Sequence, residues 1–132
     1  MINQLQIENS VHLLGFVVQE DKMAAFVDAD VFVTPRFTGF PITFLEACLC
    51  GVPIITTTEG DKLDWIDNNV GYVVDYNQKE LGEAILTILS NEQLKKEFEK
   101  NGKDIVHKQF ALPVWIKEIE RVYGKRMKPF RS

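Results

Sequence analysis

The chain has 132 residues, 45% of them hydrophobic, which is the size and composition of one soluble globular domain with a single core. Its 15 basic and 19 acidic side chains give a net charge of -4, which argues against a dedicated nucleic-acid binder. No apolar run approaches the roughly 20 residues of a membrane span, and the start, MINQLQIENS, lacks the basic and apolar regions of a signal peptide.

Apolar segments rich in β-branched residues alternate with segments of helical periodicity, as in a parallel sheet with helices on both faces. The predicted strands are Val11–Leu14, Val31–Thr34, Pro53–Thr57 and Tyr72–Val74. The predicted helices are Asp21–Asp28, Pro41–Gly51, Lys62–Asp67, Lys79–Leu89, one through Leu94, Phe98 and Ile105, and Val114–Tyr123. We expect one α/β domain over residues 1–124 and a basic tail over residues 125–132.

The periodic helices have predicted inward faces and start signals. Asp21–Asp28 places Met23, Phe26 and Val27 on its apolar face. The stripe of Lys79–Leu89 comprises Leu81, Ile85, Ile88 and Leu89. Ser90 and Gln93 have the spacing of a capping box, which predicts Ser90 as the N-cap of the next helix.

The segment from Pro35 to Gly51 turns an apolar strand into a helix through a Gly39-Phe40-Pro41 corner. Gly39 permits a positive φ and a close approach of ligand to backbone. The N–H groups at a helix start favour a bound anion such as phosphate. Glu46, about one and a half turns into the helix, lies near enough to accept hydrogen bonds from ligand hydroxyls. The corner predicts a site for a nucleoside diphosphate and its ribose, and a purely structural turn is the alternative.

Four segments in a fixed order and spacing resemble a known family. They are HLLGFV (His12–Val17), ADVFVTP (Ala29–Pro35), GFPITFLEACLCGVPIITT (Gly39–Thr57) and GYVV (Gly71–Val74). Through them, residues 11–123 resemble the C-terminal, donor-binding half of the retaining glycosyltransferases of family 4 (group 1), which have the GT-B fold. The resemblance implies an incomplete Rossmann-like parallel sheet with helices on both faces, a UDP- or GDP-sugar as donor, and no metal or other cofactor.

The resemblance also assigns site residues. Glu46 occupies the second glutamate of the family motif, two glutamates separated by seven residues, and that glutamate binds the ribose hydroxyls. The corner whose backbone amides face the diphosphate and the sugar matches Gly39, Phe40, Pro41, Ile42 and Thr43, of which Pro41 has no N–H. The turn that lines the nucleobase matches Gly15, Phe16 and Val17. Arg36, beside the corner, faces either a phosphate or water.

Thr38 departs from the family pattern, because it stands where the first glutamate is usual. That glutamate contacts the donor sugar and supports the transition state. A neutral hydrogen bond contributes about 0.5–1.5 kcal/mol, against about 1.5–3 kcal/mol for one to a charged group. The difference of about 1 kcal/mol corresponds to about tenfold in binding or turnover. Thr38 and Glu46 are therefore the predicted catalytic positions, with donor binding kept and transfer weakened.

A complete enzyme of this type has further segments: an N-terminal acceptor lobe, a linker, and two more strands with a glycine-rich loop and a basic pair. The strand order of the resembled sheet is 3-2-1-4-5-6, and this chain supplies the last four in sequence. Strands without their neighbours leave open edges. We expect either self-association through these edges or direct pairing of Val11–Leu14 with Val31–Thr34, and completion of the cleft by an acceptor lobe or partner chain.

Two functions fit this pattern. One is the donor domain of a hexosyltransferase that acts with retention on a saccharide or lipid-linked acceptor and is inactive as an isolated fragment. The alternative is a non-catalytic nucleotide-sugar-binding or assembly module. The basic tail either contacts an anionic membrane surface or is solvated.

Cys48 and Cys50 lie two residues apart on one predicted helix and point in different directions, so a disulfide between them is not expected. Neither zinc nor redox spacing is present. They are predicted to pack the helix against the sheet as reduced thiols, which suits a cytoplasmic protein, or one at the inner face of the membrane if the tail binds lipid.

Overall fold

The computed structural model describes residues 2–35, 42–57 and 64–109. The elements in chain order are α1 (Ile2–Leu5), α2 (Gln19–Asp28), β1 (Phe32–Thr34), α3 (Ile42–Leu49), β2 (Ile54–Thr57), β3 (Gly71–Val74), α4 (Gln78–Leu89) and α5 (Glu92–Gln109). The three strands form a parallel sheet in the order β1-β2-β3. The expected α/β architecture with an incomplete parallel sheet is confirmed.

Strand β2 is the centre of the sheet and is buried along its whole length, as expected for a parallel strand covered by helices on both faces. Ile54 and Ile55 point to opposite sides. Ile54 packs in a core with residues of α2 and α3 and with Val106 of α5. Ile55 packs in a second core with Ile88 of α4 and Phe98 of α5. Helix α5 therefore contributes to both cores.

The expected strand at Val11–Leu14 is not formed, and that prediction is wrong. Residues 11–14 pair with no strand among the described residues, and Leu13 is 85% exposed. A strand needs a neighbour to satisfy its backbone donors and acceptors, and no described strand lies beside this segment to supply them. The direct pairing of Val11–Leu14 with Val31–Thr34 is also wrong, because β1 pairs only with β2 among the described residues.

The expected helix at Lys62–Asp67 is also wrong in its described part. Residues 64–66 form turns, and Asp67 forms an isolated bridge with Gly71. The Ile66 carbonyl accepts hydrogen bonds from the N–H groups of Asn69 and Val70, which closes a tight turn into β3. Ile66 is nevertheless fully buried.

The predicted capping box at the junction between α4 and α5 is wrong, because Ser90 is not the N-cap of α5. Asn91 is the N-cap of α5, because its Oδ1 accepts a hydrogen bond from the N–H of Leu94 at 3.0 Å. Ser90 instead closes α4, where its Oγ donates to the carbonyl of Leu86 at 2.6 Å. Leu89 lies exposed at this end of α4, so it is not part of the inward stripe.

The other helix predictions hold with shifts of one or two residues. In α2, Met23, Phe26 and Val27 are buried as predicted. The end of helix α3 is formed by Gly51, as predicted. Gly51 has a φ of +79°, and the N–H of Val52 donates a hydrogen bond to the carbonyl oxygen of Ala47 at 2.9 Å. The predicted helix at Val114–Tyr123 and the basic tail lie outside the described residues.

Candidate functional site

The carboxyl ends of β1 and β2 are tied together by threonine side chains. Thr56 Oγ1 donates a hydrogen bond to the carbonyl oxygen of Thr34 at 2.9 Å, and Thr57 Oγ1 donates to that of Pro35. These bonds fix the point at which the chain leaves β1 toward α3. In open parallel sheets, ligands bind outside the carboxyl ends of the strands, so this edge is where a site is expected.

Helix α3 begins beside this edge and carries Glu46 one turn after its start. The Glu46 side chain is buried, with the residue only 4% exposed. Its Oε2 lies 2.9 Å from Nζ of Lys22 and accepts a hydrogen bond from Nε2 of Gln19 at 3.3 Å. Both donors come from the start of α2, where residues three apart share one face. The buried carboxylate is thus charge-paired by a neighbouring helix.

A cavity of about 740 Å³ opens next to Lys22. It lies between the segment 14–18, α2, the outer edge of β1 and the first turn of α3, and its lining is mostly apolar. Its volume is within the usual range of small-molecule sites, about 300–1,000 Å³. Phe16, Val17 and Thr43, which the sequence placed in the site, all line it. Gly15 forms the turn before them with a φ of +66°.

The structure therefore brings together part of the predicted site. Phe16, Val17 and Thr43 share the cavity, Glu46 lies behind Lys22, and Ile42 begins α3 with its side chain partly exposed. The remaining predicted site residues lie outside the described residues: Arg36, Thr38, Gly39, Phe40 and Pro41. Lys22 and Gln19 were missed by the sequence analysis, because their role depends on the contact between α2 and α3.

Residues 1–105 match the family model described as glycosyl transferases group 1. The chain belongs to this family. Among its relatives is an alpha-1,3/1,6-mannosyltransferase, ALG2, of Dictyostelium discoideum, with 26% identity over 121 residues, covering 90% of this chain and 29% of the relative.

Solved glycosyltransferase structures share the fold of this group 1 chain. Sucrose-phosphate synthase from Thermosynechococcus elongatus superposes with a TM-score of 0.77 at 23% identity, over 94% of this chain and 32% of that protein. Anabaena Alr3699/HepE in complex with UDP and glucose superposes with a TM-score of 0.71 at 22% identity, over 94% of this chain and 34% of that protein. The chain thus spans about a third or less of these three proteins.

The two cysteines of this group 1 domain are buried and free, as predicted. Burial raises the pKa of Cys48 to about 12, and the neighbouring Cys50 contributes in the same direction. Burial also raises the pKa of Cys50 to about 12, and the negative charge of Glu46 adds to that effect. Both side chains are therefore neutral thiols at neutral pH, which suits packing and not nucleophilic chemistry.

The buried thiols predict a loss of stability at alkaline pH. Well below pH 9 both thiols are protonated in the folded and the unfolded chain. Between pH 9 and 12 the unfolded chain loses these protons while the folded chain keeps them. The free energy of unfolding then falls as pH rises, by up to about 1.4 kcal/mol per pH unit for each thiol.

Urea unfolding at pH 8, 9 and 10 measures this loss. A Cys48→Ala, Cys50→Ala double variant is the control, because titration of every other group cancels in the comparison. The variant should lose less stability than the native chain between pH 9 and 10. An equal loss in both proteins would contradict the assignment to the thiols.

In residues 2–35, 42–57 and 64–109, which the structure describes, no cluster of three or more His, Cys, Asp or Glu residues could hold a metal ion. No helix there is both long and apolar enough to cross a membrane.

Proposed function

We propose that this chain is the donor-binding part of a group 1 glycosyltransferase, and that the whole enzyme transfers a hexose with retention from a UDP- or GDP-sugar. The observation that carries the proposal is the buried carboxylate of Glu46 near the start of α3, beside a cavity lined by Phe16 and Val17. A carboxylate is a strong acceptor for two vicinal hydroxyls. The UDP and glucose bound to the Anabaena relative support a ligand of this class.

Each part of the donor has a proposed contact. The ribose hydroxyls donate to Glu46, and the base lies in the cavity against Phe16 and Val17. We propose that the diphosphate accepts hydrogen bonds from the backbone N–H groups of Gly39, Phe40, Ile42 and Thr43, with Arg36 nearby; Pro41 has no N–H to donate. Helix N–H groups and the helix dipole stabilise negative charge, so binding needs no metal ion or other cofactor.

The chemistry follows from the same placement. When the bond from the sugar to the diphosphate breaks, negative charge grows on the leaving phosphate. Preorganised N–H donors stabilise that charge. Thr38 stands at the sugar end with a hydroxyl in place of the usual carboxylate, so we expect slower transfer than in relatives with a glutamate. A saccharide or lipid-linked acceptor would be held by a lobe beyond these residues.

An assembly module is the second candidate, and the exposed apolar surface favours it. Leu13, Leu14 and Phe16 are exposed beside the outer edge of β1, which has no strand partner among the described residues. We propose that this edge pairs with a further strand, from the acceptor-bearing polypeptide or from a second copy. Sedimentation of the chain alone separates the two: a dimer supports self-pairing, and a monomer supports an edge that awaits another segment.

We further propose that the protein acts in the cytoplasm, where nucleotide sugars are used. Contact of the tail at 125–132 with the inner face of the membrane would bring the site to a lipid-linked acceptor. The basic residues of that tail are Lys125, Arg126, Lys128 and Arg131.

Calorimetric titration with UDP, GDP and their hexose conjugates, in EDTA, tests the function. We expect saturable binding of one nucleotide series without added metal. Glu46→Gln removes the charge and should weaken that binding about tenfold or more, since a hydrogen bond to a charged group contributes about 1.5–3 kcal/mol. Glu83→Gln, which removes an exposed charge on α4, is the matched control and should bind like the native chain.

The possible outcomes separate the two candidates. Binding that is equal in the native chain and in Glu46→Gln would remove Glu46 from the site. Absence of binding at millimolar ligand, with a folded chain, would favour the assembly module over the donor domain.

A further inference from the structure

Lys22 lies between the cavity and the buried carboxylate. Its Nζ is 2.9 Å from Oε2 of Glu46, and its side chain also lines the cavity, with 33% of its surface exposed. Lys22 therefore contacts both the carboxylate and the cavity, while Glu46 itself is buried behind it. Any ligand that binds Glu46 does so in the presence of this lysine.

The contacts of Glu46 are concentrated on one oxygen. Both Lys22 and Gln19 contact Oε2, and Oε1 receives no hydrogen bond from the residues that the structure describes. Two donors on a single oxygen restrain the rotation of a carboxylate about its last side-chain bond. Among the residues that the structure describes, α2 holds one oxygen, and the other has acceptor capacity to spare.

Charge balance is a second consequence of the pair. A buried carboxylate is costly unless it is paired, and a diphosphate nearby would add like charge. The Lys22 ammonium supplies the compensating positive charge at the carboxylate itself. This positive charge also offsets the repulsion between the Glu46 carboxylate and an anionic ligand.

We propose that Lys22, assisted by Gln19, is a positioning residue for nucleotide binding: it holds Oε2 of Glu46 so that Oε1 accepts the ribose hydroxyls of the donor. The inference rests on the proposed donor-binding function. It makes Lys22 a residue that acts on the ligand through Glu46. The opposite role, in which Lys22 blocks Glu46 and must be displaced by ligand, predicts the opposite sign of effect.

Comparing a nucleotide with its 2′,3′-dideoxy analogue tests this role. The titration uses UDP or GDP, whichever the native chain binds, on the native chain, Lys22→Met and Lys22→Arg. We expect Lys22→Met to weaken binding of the nucleotide about tenfold, as for loss of one charged hydrogen bond. Its affinity for the dideoxy analogue should equal that of the native chain, because that ligand has no hydroxyl for Glu46. Lys22→Arg should restore most of the affinity.

Two further variants test whether a change in affinity is specific to the contact between Lys22 and Glu46. Lys79→Met removes one positive charge from an exposed position of α4 and should leave both affinities unchanged. Gln19→Ala keeps the ion pair between Lys22 and Glu46. It should weaken binding of the nucleotide by a smaller factor than Lys22→Met does, and it should leave the affinity for the dideoxy analogue unchanged. Circular dichroism checks that each variant is folded. If Lys22→Met does not fold, the affinities of Gln19→Ala and Lys22→Arg are compared with that of the native chain instead.

Each result has one meaning. Tighter or unchanged nucleotide binding by folded Lys22→Met overturns the positioning role and leaves the donor-binding function intact. Equal weakening for nucleotide and analogue also overturns it, because the effect would not pass through the ribose hydroxyls. A native chain that binds neither ligand overturns the donor-binding function, and the positioning role with it.

Discussion

A Gly71→Ala chain is expected not to fold. Gly71 opens β3 directly opposite Ile54 of β2 and has a φ of +158°. A Cβ at this position would lie 1.6 Å from the carbonyl oxygen of Ile54 and 2.7 Å from its backbone nitrogen. The clash is with the backbone of the central strand, so no side-chain rotation relieves it.

The energetic consequence is set by the place of this contact in the sheet. Separating β3 from β2 would expose the second core around Ile55. A steric clash with backbone that cannot be relieved locally lowers the free energy of unfolding by more than about 4 kcal/mol. The total free energy of unfolding of a domain is only about 5–15 kcal/mol. We therefore expect loss of the cooperative unfolding transition and of most native circular dichroism.

Gly82→Ala is the matched control for this substitution. Gly82 lies inside α4, and a Cβ there would meet no atom within 4 Å. Alanine at an open helix position is favoured over glycine by about 0.5–1 kcal/mol, so the urea midpoint of this variant should rise. A folded Gly71→Ala chain with an unchanged midpoint would mean that β2 and β3 are not paired in the register described.

The elements that the sequence predicted well are those defined by their own periodicity. Helix α2 and strand β2 are examples, since the buried residues of each follow a local pattern. Val11–Leu14 has the same apolar pattern as a strand, but a strand also requires a neighbour, and that information is not local. Ser90 and Asn91 are both good N-caps, and the choice between them depends on where α4 stops.

The candidate site was predictable to a similar extent. The family resemblance pointed to Phe16, Thr43 and Glu46, and the fold brings the first two to one cavity with the third behind Lys22. Lys22 has no such signal, because its partner is distant in sequence and lies on another helix. Its contact with Glu46 forms only because α2 packs on α3.

A Phe44→Ala chain is expected to lose about 3–5 kcal/mol of stability, as for truncation of a buried aromatic residue. Phe44 is 1% exposed in the first core. Its ring contacts that of Phe32 edge to face, with centroids 6.0 Å apart, and Phe32 contacts Phe26 in the same way at 5.2 Å. The three rings connect α3, β1 and α2, so the loss weakens the packing that holds the site together.

Phe16→Ala makes the same chemical change at a site with 93% exposure. Its free energy of unfolding should change by less than about 0.5 kcal/mol, as for other surface positions. Urea unfolding of both variants measures the contrast, and equal losses would contradict the assignment of Phe44 to the core and Phe16 to the surface. A large aromatic side chain that adds nothing to folding is available for a partner. For Phe16, the partner that we propose is the base of the donor or the further strand beside β1.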